Sequence, residues 1–126
     1  LDYDRVGEAL AWADYLIVPS VWWENSPATI QEAYTMGVPV IASDCGALAE
    51  KVQHERSGLL FVAGDAEDLE RALRRTLADP TLLDALRAGL PRVKTMAELA
   101  GEMEQLYTEV VKEQAWGGAR GLGEDA

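Results

Sequence analysis

Three short aliphatic runs, Tyr15-Leu16-Ile17-Val18, Val38-Pro39-Val40-Ile41-Ala42 and Leu59-Leu60-Phe61-Val62, are separated by stretches that each have room for a helix. Antiparallel partners can be joined by a tight turn, whereas crossovers of this length join parallel strands, so the order strand, helix, strand, helix, strand predicts a parallel sheet. The runs are almost continuously apolar, as expected for strands covered on both faces. A sheet of three strands is small for a doubly wound domain, and further strands are expected before Leu1.

The intervening segments carry helix signals. Val6, Ala9, Leu10 and Ala13 recur at helical spacing. Ser26 reads as an N-cap and Pro27 as the first residue of a helix over residues 27–36, which buries Ile30, Ala33 and Tyr34 and stops at Gly37 in the left-handed conformation. A shorter helix is expected over residues 47–52. Asp65 and Asp68 can cap a helix carrying Leu69, Ala72, Leu73 and Leu77, and Asp79-Pro80 opens another with Leu83 and Leu86 that ends near Gly89. Met96, Leu99, Met103, Leu106, Tyr107 and Val110 form a long amphipathic stripe. Residues 1–114 are expected to form one α/β domain, and the glycine-rich residues 115–126 a disordered tail.

Composition narrows the function. The chain has 126 residues, 48% of them hydrophobic, enough for one modest core. With 11 Lys and Arg against 22 Asp and Glu the formal charge is −11, which disfavours nucleic acid and anionic lipid as partners. The longest apolar stretch, residues 15–23, is broken by Pro19 and Ser20 and falls far short of the roughly 20 residues of a transmembrane helix. No signal peptide is legible at Leu1, so a cytoplasmic protein is expected. Cys45 is the single cysteine; it has no disulfide partner and no metal-ligand spacing, and no metal site is expected.

The segment richest in chemical meaning is Glu24-Asn25-Ser26-Pro27-Ala28-Thr29-Ile30-Gln31-Glu32, where a parallel strand hands the chain to a helix N-terminus. Open α/β sheets bind ligands there. The unbonded N–H groups of Ala28 and Thr29 and the positive end of the helix dipole suit a diphosphate even in an acidic protein. Glu24 precedes the helix and Glu32 stands over its second turn, placed to accept hydrogen bonds from the hydroxyls of two sugars. Spacing alone favours the plainer reading that both are ordinary solvated charges, since two glutamates eight apart are common.

Three segments together resemble the glycosyltransferase group 1 family, which includes the glycogen-synthase-like retaining enzymes of GT-B fold. They are Ala13-Asp14-Tyr15-Leu16-Ile17-Val18-Pro19-Ser20, the Glu24 and Glu32 pair, and Gly37-Val38-Pro39-Val40-Ile41-Ala42-Ser43-Asp44. The match continues through Gly58-Leu59-Leu60-Phe61 and Gly64-Asp65 and covers the chain to about Val111. The resemblance implies a Rossmann-like parallel sheet with flanking helices, forming part of the C-terminal, nucleotide-sugar-binding domain of a GT-B fold. It implies that Glu24 contacts the donor sugar as the catalytic-site carboxylate, that Asn25, Ser26, Pro27, Ala28 and Thr29 receive sugar and phosphate, and that Glu32 binds ribose. It further implies retaining transfer from a nucleotide-diphosphate sugar to a glycan, lipid or small-molecule acceptor, without a cofactor or metal and without an assigned enzyme nucleophile.

The chain also departs from that family. Only Arg5 precedes the motif, where the family has an Arg and a Lys that neutralise the diphosphate, and the N-terminal acceptor domain is absent from this sequence. Asn25-Ser26-Pro27 replaces the more frequent Gly-Phe-Pro type of loop, and Ala47 replaces a glycine ahead of Glu50, leaving Glu50 as ligand, cap or packing residue. Trp22 and Trp23 read first as a cover for the core or an interdomain contact and second as cleft lining; His54 reads as a solvated loop residue. The apolar stripe from Met96 would invite self-association where exposed. By itself the chain is expected to be inactive. Two other readings stand beside the transferase: a GT-B sugar-nucleotide epimerase, and a folded, noncatalytic, self-associating chain.

Overall fold

All strands of the sheet run in one direction, as the crossover lengths require. The computed structural model describes residues 5–25 and 27–118. In the first of two units, Leu1–Val93, the elements are α1 (Val6–Ala11), β1 (Leu16–Val18), α2 (Ala28–Thr35), β2 (Val40–Ser43), α3 (Gly46–Lys51), β3 (Gly58–Phe61), α4 (Ala66–Ala78) and α5 (Leu82–Ala88). The second unit, Lys94–Ala126, contains α6 (Met96–Gly118). The sheet order is β1-β2-β3, with Leu16 opposite Val40 and Val40 opposite Gly58.

The pleat of β2 assigns its side chains to two cores. Val40 and Ala42 pack with Ile30, Ala33 and Tyr34 of α2, Leu48 of α3 and Leu10 of α1. Ile41 packs on the other face with Leu59, Phe61, Leu82 and Leu86, flanked by Leu69, Ala72 and Leu73 of α4. All four residues of β2 are therefore buried, and the absence of apolar/polar alternation in the sequence is explained by cover on both faces. Each fully buried aliphatic side chain, such as Ile30, Ile41, Leu48, Leu59 and Leu86, stabilises the fold by about 1.5–3 kcal/mol. Ile17, in register with Ile41, is 42% exposed, so the second face is less complete over β1.

Several boundaries differ from the sequence reading, each for a local reason. Pro27 is not the first helical residue: its ψ of 109° is extended, so it occupies the N-cap position and α2 begins at Ala28. Ser26, expected as the cap, lies outside the described residues. Gly37 does take the left-handed conformation, at φ 75°. Strand β2 begins at Val40, after Pro39, which has no N–H to give to a ladder. In α5 the cap is Thr81, braced by the Asp79 carboxylate, and the helix starts at Leu82, so Leu82 and Leu86 are buried and Leu83 only half so.

Leu77, on the expected stripe of α4, is 84% exposed. At ~1.5 Å rise per residue α4 is roughly 20 Å long, whereas the four residues of β3 span roughly 13 Å, so the helix outruns the strand it covers. Asp65 caps α4 as expected, its Oδ1 accepting from Glu67 N and Asp68 N at 2.9 and 3.0 Å. Asp68 does not cap the helix; its Oδ2 accepts from Val62 N at 2.7 Å. His54 likewise accepts, through Nδ1, from Leu60 N at 2.9 Å. Exposed though it is, His54 thus satisfies a backbone donor beside β3 instead of being merely solvated, and the two side chains blunt that edge of the sheet.

The turn before β3 is held by Ser57, whose buried Oγ accepts from Gln53 N at 3.0 Å and is 2.9 Å from the Tyr34 hydroxyl. In the second unit, Thr95 and Glu98 form a reciprocal capping box at the start of α6, with Glu98 N bonded to Thr95 Oγ1 and Thr95 N to Glu98 Oε2. Helix α6 runs to Gly118, into the segment expected to lack order; the remainder of that segment is outside the described residues. Among the described residues no helix is long and apolar enough to cross a membrane.

Candidate functional site

The carboxyl ends of β1, β2 and β3 deliver the chain into three loops on one edge of the sheet, and the first and second of these loops touch. Cys45 Sγ donates to the Trp22 carbonyl at 3.7 Å. A Cβ placed on Gly46, whose φ of 50° suits glycine, would come within 3.0 Å of the Trp23 ring. Trp23 therefore lies across the start of α3, and the loop that carries Glu24 is fastened to it. Asp44 N, bonded to the Phe61 carbonyl at 2.7 Å, ties the ends of β2 and β3 together.

Glu24 is half-buried in this loop, and its carboxylate is held from within the loop. Oε1 accepts from Trp22 Nε1 at 2.9 Å and from Ser20 Oγ at 3.3 Å. Asn25 is exposed, Pro27 half-buried, and Ala28 and Thr29 exposed at the head of α2. Among the described residues no side chain caps that helix, its N-cap position being Pro27. Ala28 and Thr29 lead the helix, so their N–H groups have no intrahelical acceptor, and the positive end of the dipole faces outward with them. Glu32 is half-buried one turn further on, about 6 Å along the axis from Ala28. The loop and helix thus combine a held carboxylate, a set of open amides and a second carboxylate on one helix start, while Ser26 of the expected set is outside the described residues.

The first expectation for the two tryptophans was a cover for the core or an interdomain contact, and they do not cover the core. Trp22 is 68% and Trp23 85% exposed. Their use is local: one holds Glu24 and the other packs on Gly46. Sequence reasoning passed over Ser20 and weighed Trp22 only as a cover or as cleft lining, since a loop has no periodicity from which to infer that side chains two and four positions earlier bond to the same carboxylate. Glu50 is exposed in the last turn of α3, too late in the helix to cap its start and not packed. Arg5, the cation ahead of the motif, pairs with Glu8 on α1 at 3.0 Å, both exposed. Among the described residues no group of three or more His, Cys, Asp or Glu side chains is arranged to hold a metal ion.

Comparison with known proteins bears on the family and the fold. The family model described as glycosyl transferases group 1 matches residues 2–79. D-inositol 3-phosphate glycosyltransferase of Jonesia denitrificans is 39% identical over 91 residues, which are 72% of this chain and 21% of that protein. An exopolysaccharide phosphotransferase of Streptomyces coelicolor is 33% identical over 108 residues, 82% of this chain and 12% of that one. Among solved structures, sucrose-phosphate synthase from Thermosynechococcus elongatus superposes with a TM-score of 0.77 at 32% identity, covering 90% of this chain and 29% of that one. HepE from Anabaena, in complex with UDP-glucose, shares the fold at a TM-score of 0.71 and 22% identity, covering 80% of this chain and 29% of its own. The chain spans between 12% and 24% of the length of the curated relatives it matches.

Proposed function

Since the chain belongs to the group 1 glycosyltransferases, and its α/β sheet is the Rossmann-like kind found in the GT-B members, we propose that it forms the donor-binding part of a retaining transferase. The donor is a nucleotide-diphosphate sugar and the acceptor a glycan, lipid or small molecule. Residues 1–114 make up this donor-binding domain, and an N-terminal acceptor domain is its partner across the active-site cleft. A cytoplasmic location and a reaction without metal or cofactor belong to the same proposal.

The observation that carries the reading is the held carboxylate of Glu24 beside the start of α2, where the N-cap residue, Pro27, has no side-chain acceptor for the first amides. Glu24 accepts hydrogen bonds from hydroxyls of the transferred sugar; a carboxylate does this more strongly than a neutral acceptor. The amides from Asn25 to Thr29 receive sugar and diphosphate, where the helix dipole favours negative charge. Glu32 accepts from the ribose hydroxyls. In the transfer, the bond from the anomeric carbon to the phosphate oxygen breaks and a bond to the acceptor oxygen forms on the same face, while the acceptor's proton passes to the departing phosphate. No side chain of this chain is assigned as nucleophile.

UDP-glucose in the HepE complex and the glycosyltransferase relatives support the choice of ligand class. Calorimetric titration of the chain with UDP, GDP and their sugar conjugates, alongside Glu32→Ala, tests it. Weak binding that the substitution removes is the expected result. Absence of heat up to millimolar ligand would leave the chain as a folded, noncatalytic unit.

A further inference from the structure

A glutamate in a solvated loop has many rotamers, and a ligand that selects one of them must first offset the lost freedom. Glu24 is placed otherwise. Both of its hydrogen bonds arrive at one oxygen, Oε1: Trp22 Nε1–H at 2.9 Å and Ser20 Oγ–H at 3.3 Å. The second carboxylate oxygen has no bond to a described residue. The indole N–H can only donate, and the acceptor it has among the described residues is the Glu24 carboxylate. Its backbone is fixed in turn, because the Trp22 carbonyl accepts from Cys45 Sγ and the next residue, Trp23, lies against Gly46. A large apolar side chain left 68% exposed contributes little to the core, and its one polar atom is directed at Glu24.

We propose that Trp22 is a positioning residue of the donor site: its indole N–H, assisted by Ser20, fixes the Glu24 carboxylate through Oε1 and leaves Oε2 to accept from the sugar of the donor. The inference rests on the reading of Glu24 as the sugar-binding carboxylate. It makes a demand that a merely structural tryptophan does not. The sugar's contribution to affinity depends on Trp22, while the nucleotide's contribution does not.

The test compares the chain with Trp22→Phe and Glu24→Ala. Each is titrated with UDP-glucose, UDP-N-acetylglucosamine, GDP-mannose and ADP-glucose and with the corresponding nucleoside diphosphates. Trp22→Phe keeps an aromatic ring and removes the donor. For whichever nucleotide sugar binds more tightly than its own nucleotide, the substitution is expected to weaken the sugar conjugate by about tenfold, the loss of one charge-assisted hydrogen bond, with affinity for the bare nucleotide unchanged. Full retention of the sugar's increment in Trp22→Phe, with its loss in Glu24→Ala, would overturn the positioning role and leave the reading of Glu24 intact. No increment from any sugar in the unmodified chain would remove the reading of Glu24 and this inference with it. An equal loss for sugar conjugate and bare nucleotide would mark Trp22 as structural only. A second measurement requires no binding: the indole N–H proton resonance of Trp22 is expected to move upfield in Glu24→Gln, where the acceptor loses its charge. An unchanged resonance would contradict the bond on which the inference stands.

Discussion

Gly58 lies so close to Val40 across the β2–β3 ladder that a Cβ built on it would come 1.9 Å from the Val40 carbonyl oxygen and 2.9 Å from the Val52 side chain. The nearest obstacle is backbone, which cannot rotate away. Gly58→Ala is expected to destabilise the first unit by about 3 kcal/mol or more, outside the usual range for one substitution. Urea unfolding followed by circular dichroism measures it, and a midpoint like that of the unmodified chain would show that the ladder tolerates a side chain there.

Acid is expected to weaken the fold through Asp68. Its pKa is lowered, first by the hydrogen bond it accepts from Val62 N–H and then by Arg71. Glu55, beside Arg75, and Asp79, bonded to Thr81, are lowered too. A carboxylate whose folded pKa is depressed stabilises the fold fully above its unfolded pKa and loses that contribution as the pH falls through the folded value. Stability is therefore expected to be level near neutrality and to fall below about pH 4. Asp68→Asn should make that fall shallower. An equally steep decline in the variant would place the acid sensitivity elsewhere.

Two buried hydroxyls, Ser43 Oγ and Tyr15 Oη, have no hydrogen-bond partner among the described residues. Desolvation, with Asp14 nearby, raises the pKa of Tyr15. A buried polar atom without a partner has lost its hydration for nothing, so Ser43→Ala and Tyr15→Phe are expected to leave stability unchanged or raise it by up to ~1 kcal/mol each. Thermal denaturation checks this. A loss of more than ~1 kcal/mol in either variant would mean that the hydroxyl has a bonding role.

The second unit bears on oligomeric state. Met96, Leu99, Met103, Leu106, Tyr107, Val110 and Val111 of α6 are all exposed. An apolar stripe of that length is expected to make the chain self-associate with rising concentration. Light scattering coupled to size exclusion should report a mass that increases with loading, and Leu106→Glu should lower it. A monomer at every loading would contradict the expectation.

How much of this was legible in the sequence follows from where periodicity exists. The parallel sheet, its order of elements and the core residues Ile30, Ala33, Tyr34, Ile41, Leu59 and Leu86 could be read because apolar spacing records burial. Asp65 and Gly37 were readable because caps and left-handed turns need particular side chains. The Thr95 and Glu98 box carries the same kind of signature and went unread. What spacing could not supply is the conformation of the loop around Glu24: Trp22 and Ser20 reach its carboxylate through an irregular backbone path, and the helix started one residue later than Pro27 suggested. Glu24 and Glu32 stood out as candidates from their place at a strand-to-helix junction, but spacing did not separate them from solvated charges, and their separate roles came from the resemblance to a family motif.

The functional assignment turns on whether the loop from Glu24 to the start of α2 receives a nucleotide sugar. A heteronuclear NMR titration of the isotopically labelled chain with UDP-glucose, GDP-mannose and ADP-glucose in turn reads this out residue by residue. For the ligand that binds, saturable shifts are predicted for the backbone amides of Asn25, Ala28 and Thr29 together with the Trp22 indole N–H. Shifts confined to α4 and α5, or none for any of the three at millimolar concentration, would contradict the assignment.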